Sequence, residues 1–370
     1  LLGVAFGLLS GYVGAMARPH IAAVVEDAWH GQLNGVLVGR GWKPRVIAHT
    51  GYGSTAFVRV LARIVLSRHS LDAAETRADE HEEIALEPER EVRGWRAFVT
   101  AQATGLNVSV EVQGRTYRTT TDRSGYVDVT IDDHDLPAGW HEVSVTPEGG
   151  RAQRVPVVIV GDDVRFGVVS DIDDTVMITV LPRMFIAAWN TFVRHEQARH
   201  IVPGMAPLYR ELLADHPGAP IFYLSTGAWN TAPTLTRFLK RHGYPLGPLL
   251  LTDWGPTNTG WFRSGQDHKR ENLHRLAKEF PDIQWVLVGD DGQHDPKIYG
   301  AFAHDRPDVV RAIAIRELTP AEQVLSHGLP VSNEEFAPRT VHGEVPVVRA
   351  GDGYGILPKL QRLLAVQAGD

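Results

Sequence analysis

The chain has 370 residues, with 44 acidic against 37 basic, a net charge of −7 and 43% hydrophobic residues. This profile fits an ordinary globular protein of two domains and excludes a global basic field for nucleic acid or an anionic membrane surface, so any anionic ligand must be held locally. The absence of cysteine removes disulfides, thiolate nucleophiles and cysteine metal sites; it leaves carboxylates, histidines and hydroxyls for chemistry and agrees with a cytoplasmic setting.

The opening LLGVAFGLLSGYVGAMA is apolar, yet it lacks a basic start and is short and glycine-broken for a membrane span of roughly 20 residues. Residues 1–45 are therefore expected to form an amino-terminal helical segment, with a trimmed anchor or signal as the lesser reading. From Val46 to Val160 the pattern changes to short runs rich in Val, Thr, Tyr and Phe separated by turn residues: STAFVRVLARIVL, WRAFVTAQA, LNVSVEVQG, RTYRTTT, GYVDVTI, HEVSVTP and RVPVVIV. Their spacing predicts an antiparallel β-sandwich over 46–160, and VSVEV alternates as a half-buried strand should. The charged stretch from Asp72 to Arg93 reads as a solvated excursion between strands.

After Gly161 apolar strands alternate with amphipathic helices. RFGVVS precedes a helix around 206–214, PIFYLS one at 232–242, PLLLTD one at 268–280 and QWVLVG one at 294–303, before VVRAIAIREL closes the series. Continuous apolar strands in βα alternation predict an α/β domain over 161–370, built on a doubly wound parallel sheet. In such sheets ligands sit beyond the carboxyl ends of the strands.

Those strand ends carry a consistent chemistry. The first delivers Asp171, Asp173 and Thr175; two carboxylates that close cannot both stay charged without a shared proton or a cation, and a hard divalent ion such as Mg²⁺ meets that need. The second ends at Ser225 and Thr226 with Gly227 behind them, a hydroxyl and backbone amides suited to cradle phosphate. Lys269 opens a later helix, where its ammonium can neutralise phosphate oxygens. QWVLVGDDGQHDP then runs a buried strand into Asp290 and Asp291, with Asp295 beyond. Aspartate pair, hydroxyl, lysine and second aspartate pair compose a site for phosphoryl transfer, in which an aspartate can itself be the nucleophile.

The order 171-DIDDT-175, Ser225, Lys269 and 289-GDDGQHD-295 resembles the haloacid dehalogenase superfamily of Mg²⁺-dependent phosphotransferases. The fuller strings SDIDDTV, FYLSTGAWN and GDDGQHDPKIY are similar to one branch, the actin-patch type of phosphatidate phosphatases and their bacterial relatives, and the likeness runs roughly from Gly41 to Glu317. The resemblance implies a haloacid dehalogenase-like domain in which Asp171 is the nucleophile, with one oxygen on Mg²⁺. It implies Asp173 as general acid and then base, with its backbone carbonyl on the metal. Ser225 and Lys269 would hold the phosphoryl oxygens, and Asp290 would complete the metal shell. Thr175 would stabilise the turn and Thr226 support the cradle beside Ser225, while the surplus carboxylates Asp174, Asp291 and Asp295 orient waters or cap helices. Phosphatidate, cleaved to diacylglycerol with peripheral contact to a membrane, is the substrate this likeness implies. One departure stands in the phosphate loop: where the branch typically carries Ser-Pro before Trp, this chain has Gly227-Ala228.

Blander readings compete at single positions. DIDDT alone is also a capped turn, and Lys269 alone a surface lysine; agreement across four strand ends favours function. His294 after a glycine turn reads as structural, 132-DDHD-135 as a hairpin turn rather than a calcium loop, and GYGS at 51–54 as too short for a nucleotide loop. The segment 176–200, apolar with Phe185, Trp189, Phe192 and flanking Arg183, Arg194 and Arg199, is expected to be a small cap packed on the sheet, with contact to an acyl chain or headgroup as the second reading. Alternatives at the level of function are a phosphatase of a soluble phosphomonoester, a phospho-receiver protein, and a sandwich acting as a binding module. The sequence indicates no nucleic-acid partner and sets no oligomeric state.

Overall fold

A computed structural model of the chain describes residues 37, 39–68, 101–179, 199–252, 265–292, 294–320, 322–323 and 345–368. The expected amino-terminal helix, the charged excursion and most of the cap segment lie outside these residues. Lys43, Pro44 and Arg45, expected to end the helical segment, already belong to a strand.

Eight strands form the first sheet: β1 (Lys43–Ser54), β2 (Phe57–Ser67), β3 (Ala101–Gln102), β4 (Asn107–Val112), β5 (Arg115–Thr120), β6 (Tyr126–Asp132), β7 (Gly139–Pro147) and β8 (Gln153–Val160). Their order is β3-β2-β1-β8-β7-β4-β5, with β6 paired to β2. This one sheet folds over a core of inward-facing residues such as Val58, Val60, Ile64, Val110, Val145 and Val157. It is sandwich-like as the alternation predicts, with a correction: β1 and β8 run parallel, so the sheet is not wholly antiparallel.

β1 itself, KPRVIAHTGYGS, is a strand that propensity hides, because Thr50, Gly51 and Gly53 read as a turn. Both glycines are required by close backbone approach: a Cβ would lie 2.4 Å from the Arg59 carbonyl oxygen at Gly51 and 2.0 Å from that of Phe57 at Gly53. The pairing with β2 shifts register between His49 and Tyr52, as at a bulge, which re-aims side chains at the sheet edge. Asp133 sits in a left-handed turn after β6 with Arg115 bound to its carbonyl at 2.7 Å, so 132–135 is a connection between strands.

The second sheet is all parallel: β9 (Phe166–Asp171), β12 (Ile221–Ala228), β13 (Leu249–Thr252), β14 (Gln284–Asp290), β15 (Val310–Arg316) and β16 (Val347–Ala350), ordered β13-β12-β9-β14-β15-β16. Between β9 and β12 lies a two-stranded antiparallel ribbon, β10 (Met177–Thr179) and β11 (Arg199–Ile201). Helices α1 (Met205–Ala214), α2 (Ala232–Arg241) and α5 (Gly353–Ala368) share one apolar core with the sheet, including Val168, Tyr223, Val286 and Ala312. Helices α3 (Gly265–Glu279) and α4 (Asp295–Asp305) share the other, around Val169, Phe222, Leu287 and Ile313. Burial on both faces explains why β9 is buried at every position and reads as an unbroken apolar run.

The second core also takes in Tyr52, Leu61 and Val160 of the first sheet. Tyr52 meets Phe222 edge-on at 5.0 Å between ring centroids, and its hydroxyl donates to Glu279 at the end of α3 at 2.8 Å. Arg59 joins them, donating to Tyr52 at 3.2 Å and to Glu279 at 3.4 Å while both prongs of its guanidinium hold Asp128 at 2.6 Å. The two sheets therefore share a packed, hydrogen-bonded boundary. Among the described residues, no helix is long and apolar enough to cross a membrane.

Candidate active site

The strand order puts β12, β9 and β14 side by side at the centre of the parallel sheet, so residues leaving their carboxyl ends meet. β9 ends at Asp171, and the chain then closes a tight turn: the Val176 and Met177 amides donate to the Ile172 carbonyl at 2.9 and 3.2 Å, and Asp174 adopts a left-handed conformation (φ 59°). This turn buries Asp171, Asp173, Asp174 and Thr175 together.

Each of the four positions has a separate job. Asp171 accepts from Lys269 Nζ at 2.6 Å. Asp173 accepts from the Ser225 hydroxyl at 2.8 Å, and Ser225 Oγ in turn accepts the Gly227 amide at 2.9 Å. Thr175 lies 3.5 Å from Asp290 Oδ2, so it ties the first turn to the end of β14. The carbonyl of Asp174 accepts from Arg316 Nη1 at 2.7 Å, which makes Asp174 a backbone element of the turn.

At the end of β14, Asp290 caps its own loop by accepting the Gly292 amide at 2.8 Å. Asp291 accepts the Leu318 amide at 2.8 Å and holds the loop after β15. Asp295, expected only to support the site, reaches its centre: Lys269 Nζ donates to it at 2.5 Å. Gly289 makes room for this, since a Cβ there would lie 2.6 Å from Asp295 Oδ2 and 2.7 Å from the Tyr299 ring. Carboxylate oxygens of Asp171, Asp290 and Asp295 all lie within 4.8 Å of one another. Thr226 contributes its carbonyl, which accepts from Thr252 Oγ1 at 2.8 Å.

The electrostatics of this group are one-sided. Burial pushes Asp171 well above the ordinary carboxylate range, with Lys269 opposing and Asp295 and Asp173 adding to the rise. Burial likewise pushes Asp290 up, reinforced by Asp295, Asp171 and Asp174. For Lys269 burial works to lower the value, but Asp171 and Asp295 outweigh it and hold the ammonium charged. Every shift thus points toward taking up more positive charge, because one ammonium faces three buried carboxylates. Asp171 Oδ2 and Asp295 Oδ2 are also buried without a hydrogen-bond partner among the described residues. An oxygen-only donor set with excess negative charge and unpartnered oxygens suits a hard divalent cation.

The outer residues were not legible in the sequence. Ser170 donates to the Asp171 carbonyl at 2.7 Å and meets the Tyr209 hydroxyl of α1 at 2.6 Å, fixing the backbone at the strand end. Arg316, buried at the end of β15, binds Asp174, the Gly351 carbonyl and Glu322, joining three loops. Its only signal was its place at a strand end, like that of Asp290. His294 stands just before α4 and is not among the three gathered carboxylates.

Residues 166–317 match the family model described as Phosphatidate phosphatase APP1, catalytic domain. The Phosphatidate phosphatase APP1 of Saccharomyces cerevisiae is 27% identical over 220 residues, covering 58% of this chain and 37% of that protein. An uncharacterised protein of Schizosaccharomyces pombe is 25% identical over 166 residues, covering 45% of this chain and 27% of its own length. The chain thus spans well under half the length of these relatives. An uncharacterised protein from Listeria monocytogenes serotype 4b overlays with a TM-score of 0.32 at 12% identity, over 54% of this chain and 99% of that one.

Proposed function

We propose that this chain, whose residues 166–317 form an APP1-like catalytic domain, is a phosphatase that hydrolyses a phosphomonoester through an aspartyl-phosphate on Asp171. The observation that carries this reading is the junction of three buried carboxylates, one charged lysine and a serine–aspartate pair at adjacent strand ends. The order of residues along the chain and the βα alternation support a haloacid dehalogenase-like framework. The relative's name supports phosphatidate as the ester, with diacylglycerol as the other product.

Asp171, Asp290 and Asp295, with the main-chain carbonyl of Asp173, would hold Mg²⁺. When bound, the ion would offset the carboxylate charge and the negative charge developing on the phosphoryl oxygens. The rest of the chemistry belongs to the chain. An Asp171 oxygen attacks phosphorus as the bond to the leaving alkoxide oxygen breaks, and Asp173 gives that oxygen its proton. Asp173 then takes a proton from water, which attacks the acyl phosphate and releases inorganic phosphate and the Asp171 carboxylate. Lys269 and Ser225 hold the phosphoryl oxygens through both steps; both already reach the reacting aspartates, so little reorganisation is required.

Phosphate release from phosphatidate in mixed vesicles, measured beside a soluble ester such as p-nitrophenyl phosphate, tests this reading. Asp171→Asn and Asp173→Asn are expected to abolish Mg²⁺-dependent release, and normal turnover by either overturns the mechanism. A marked preference for the soluble ester would assign the enzyme to a soluble phosphomonoester instead.

A further inference from the structure

We infer that the first sheet is a working part of the active site: His49 and Tyr126 form an aromatic socket for Trp229 that positions the phosphate loop Ser225–Ala228. The inference rests on the reading above in which Ser225 holds phosphoryl oxygens.

Trp229 begins the short 3-10 turn Trp229–Thr231, four residues beyond Ser225. Its ring lies 4.9 Å from the His49 ring and 5.7 Å from the Tyr126 ring, both in tilted contact. His49 comes from β1, just before the register shift, and Tyr126 from the start of β6. β2 supplies the backing: the Arg63 guanidinium lies 5.2 Å from the centroid of the Tyr126 ring, and its Nε donates to the Ser124 carbonyl at 3.3 Å. Two strands of the first sheet thus meet one side chain of the second unit, and a third backs one of the two rings. Tilted aromatic contacts of this length fix ring orientation as well as exclude water.

Ser225–Ala228 is the end of β12, where the pairing with β13 shifts register between Leu224 and Ala228 and the ladder is locally interrupted. Gly227-Ala228 restricts the backbone little, and the segment's ties include the Ser225 hydroxyl on Asp173, the Gly227 amide on Ser225 Oγ, Thr252 on the carbonyls of Thr226 and Gly227, and Thr231 Oγ1 on the Ala228 carbonyl. Trp229 packs into the apolar cores on both faces of the parallel sheet, so its ring fixes where the loop ends relative to β9 and β14. Among the described residues His49 is buried with Nε2 lacking a hydrogen-bond partner, which costs stability; the ring is held by packing, with the Trp229 ring closer to it than that of Tyr126. Trp229, His49 and Tyr126 act as positioning residues: none is assigned contact with the phosphoryl group.

The test uses the full chain and two readouts that do not depend on the fraction of molecules folded: KM for p-nitrophenyl phosphate and Kd for inorganic phosphate by calorimetry with Mg²⁺. His49→Ala and Tyr126→Ala are expected to raise both roughly ten- to a hundred-fold, the cost of a small misplacement of a binding group. His49→Phe and Tyr126→Phe keep a ring and should stay near wild type. Val145→Ala, in the core of the first sheet away from Trp229, lowers stability while leaving KM and Kd unchanged. Wild-type KM and Kd in both alanine variants would overturn the socket. Failure of the underlying reading has its own signature: Ser225→Ala would leave phosphate affinity unchanged, and the socket would then hold no phosphate loop and falls with it.

Discussion

The two sheets bury different things. The first closes, among the described residues, on a core of Val, Ile, Leu and Ala set by register and alternation. The second has apolar cores of the same kind on both faces, yet its carboxyl edge also buries Asp171, Asp173, Asp174, Asp290, Asp295, Lys269 and Arg316. Burying that much charge with one ammonium among three carboxylates is costly, and nothing in folding requires it. The contrast separates burial that serves packing from burial that costs stability: the first sheet is built for packing, and the edge of the second gathers charges whose burial marks it as the candidate site.

Four experiments would break or sharpen that contrast. The largest effect is expected from Asp171→Asn, which removes the proposed nucleophile with little change in shape. Turnover should fall by at least about a thousand-fold, while the melting temperature holds or rises because a buried charge is gone; steady-state phosphate release and thermal unfolding would read the two separately. Lys269→Met should do the reverse to stability, costing roughly 3–5 kcal/mol by leaving buried carboxylates uncompensated. Urea unfolding with and without Mg²⁺ checks this, and the variant should regain more stability from the ion than wild type does. If Lys269→Met unfolds like wild type, the edge is not strained by charge.

A smaller effect is expected on the other side. Val145→Ala truncates a fully buried side chain of the first sheet and should cost about 2 kcal/mol with KM intact, a purely packing result. The smallest concerns His49, which burial, aided by Arg63, pushes down to about 3 from its usual 6.5. The folded state keeps this imidazole neutral while the unfolded state takes up a proton below about pH 6.5, so stability is lost as pH falls from there toward 3. The loss should reach about 1 kcal/mol by pH 5.5, and His49→Phe should remove it from the pH dependence of urea unfolding.

Much of the site was legible in the chain itself. Asp171, Asp173, Ser225 and Asp290 stand at or just beyond the ends of apolar runs that fold into strands, and Lys269 stands near the start of α3, where the helix brings it to the same edge. The four helices between them began within a few residues of where the amphipathic pattern placed them. Asp295 reaches the centre of the cluster because Gly289 leaves space beneath it, and a glycine after VLV carries no mark of what it admits. β1 was not among the runs read as strands for a related reason: glycine is depleted in strands, and here close approach of β2 demands two of them.

The sequence by itself determined most of the residues that could do chemistry and most of the segments that are strand or helix, because periodicity and residue type are local properties of the chain. Only the tertiary structure decided that β9 lies between β12 and β14, that Lys269 divides itself between Asp171 and Asp295, and that Trp229 seats between His49 and Tyr126. These are contacts between residues 26 to 180 positions apart in the chain, fixed by strand order and by which faces need covering. No local pattern encodes them.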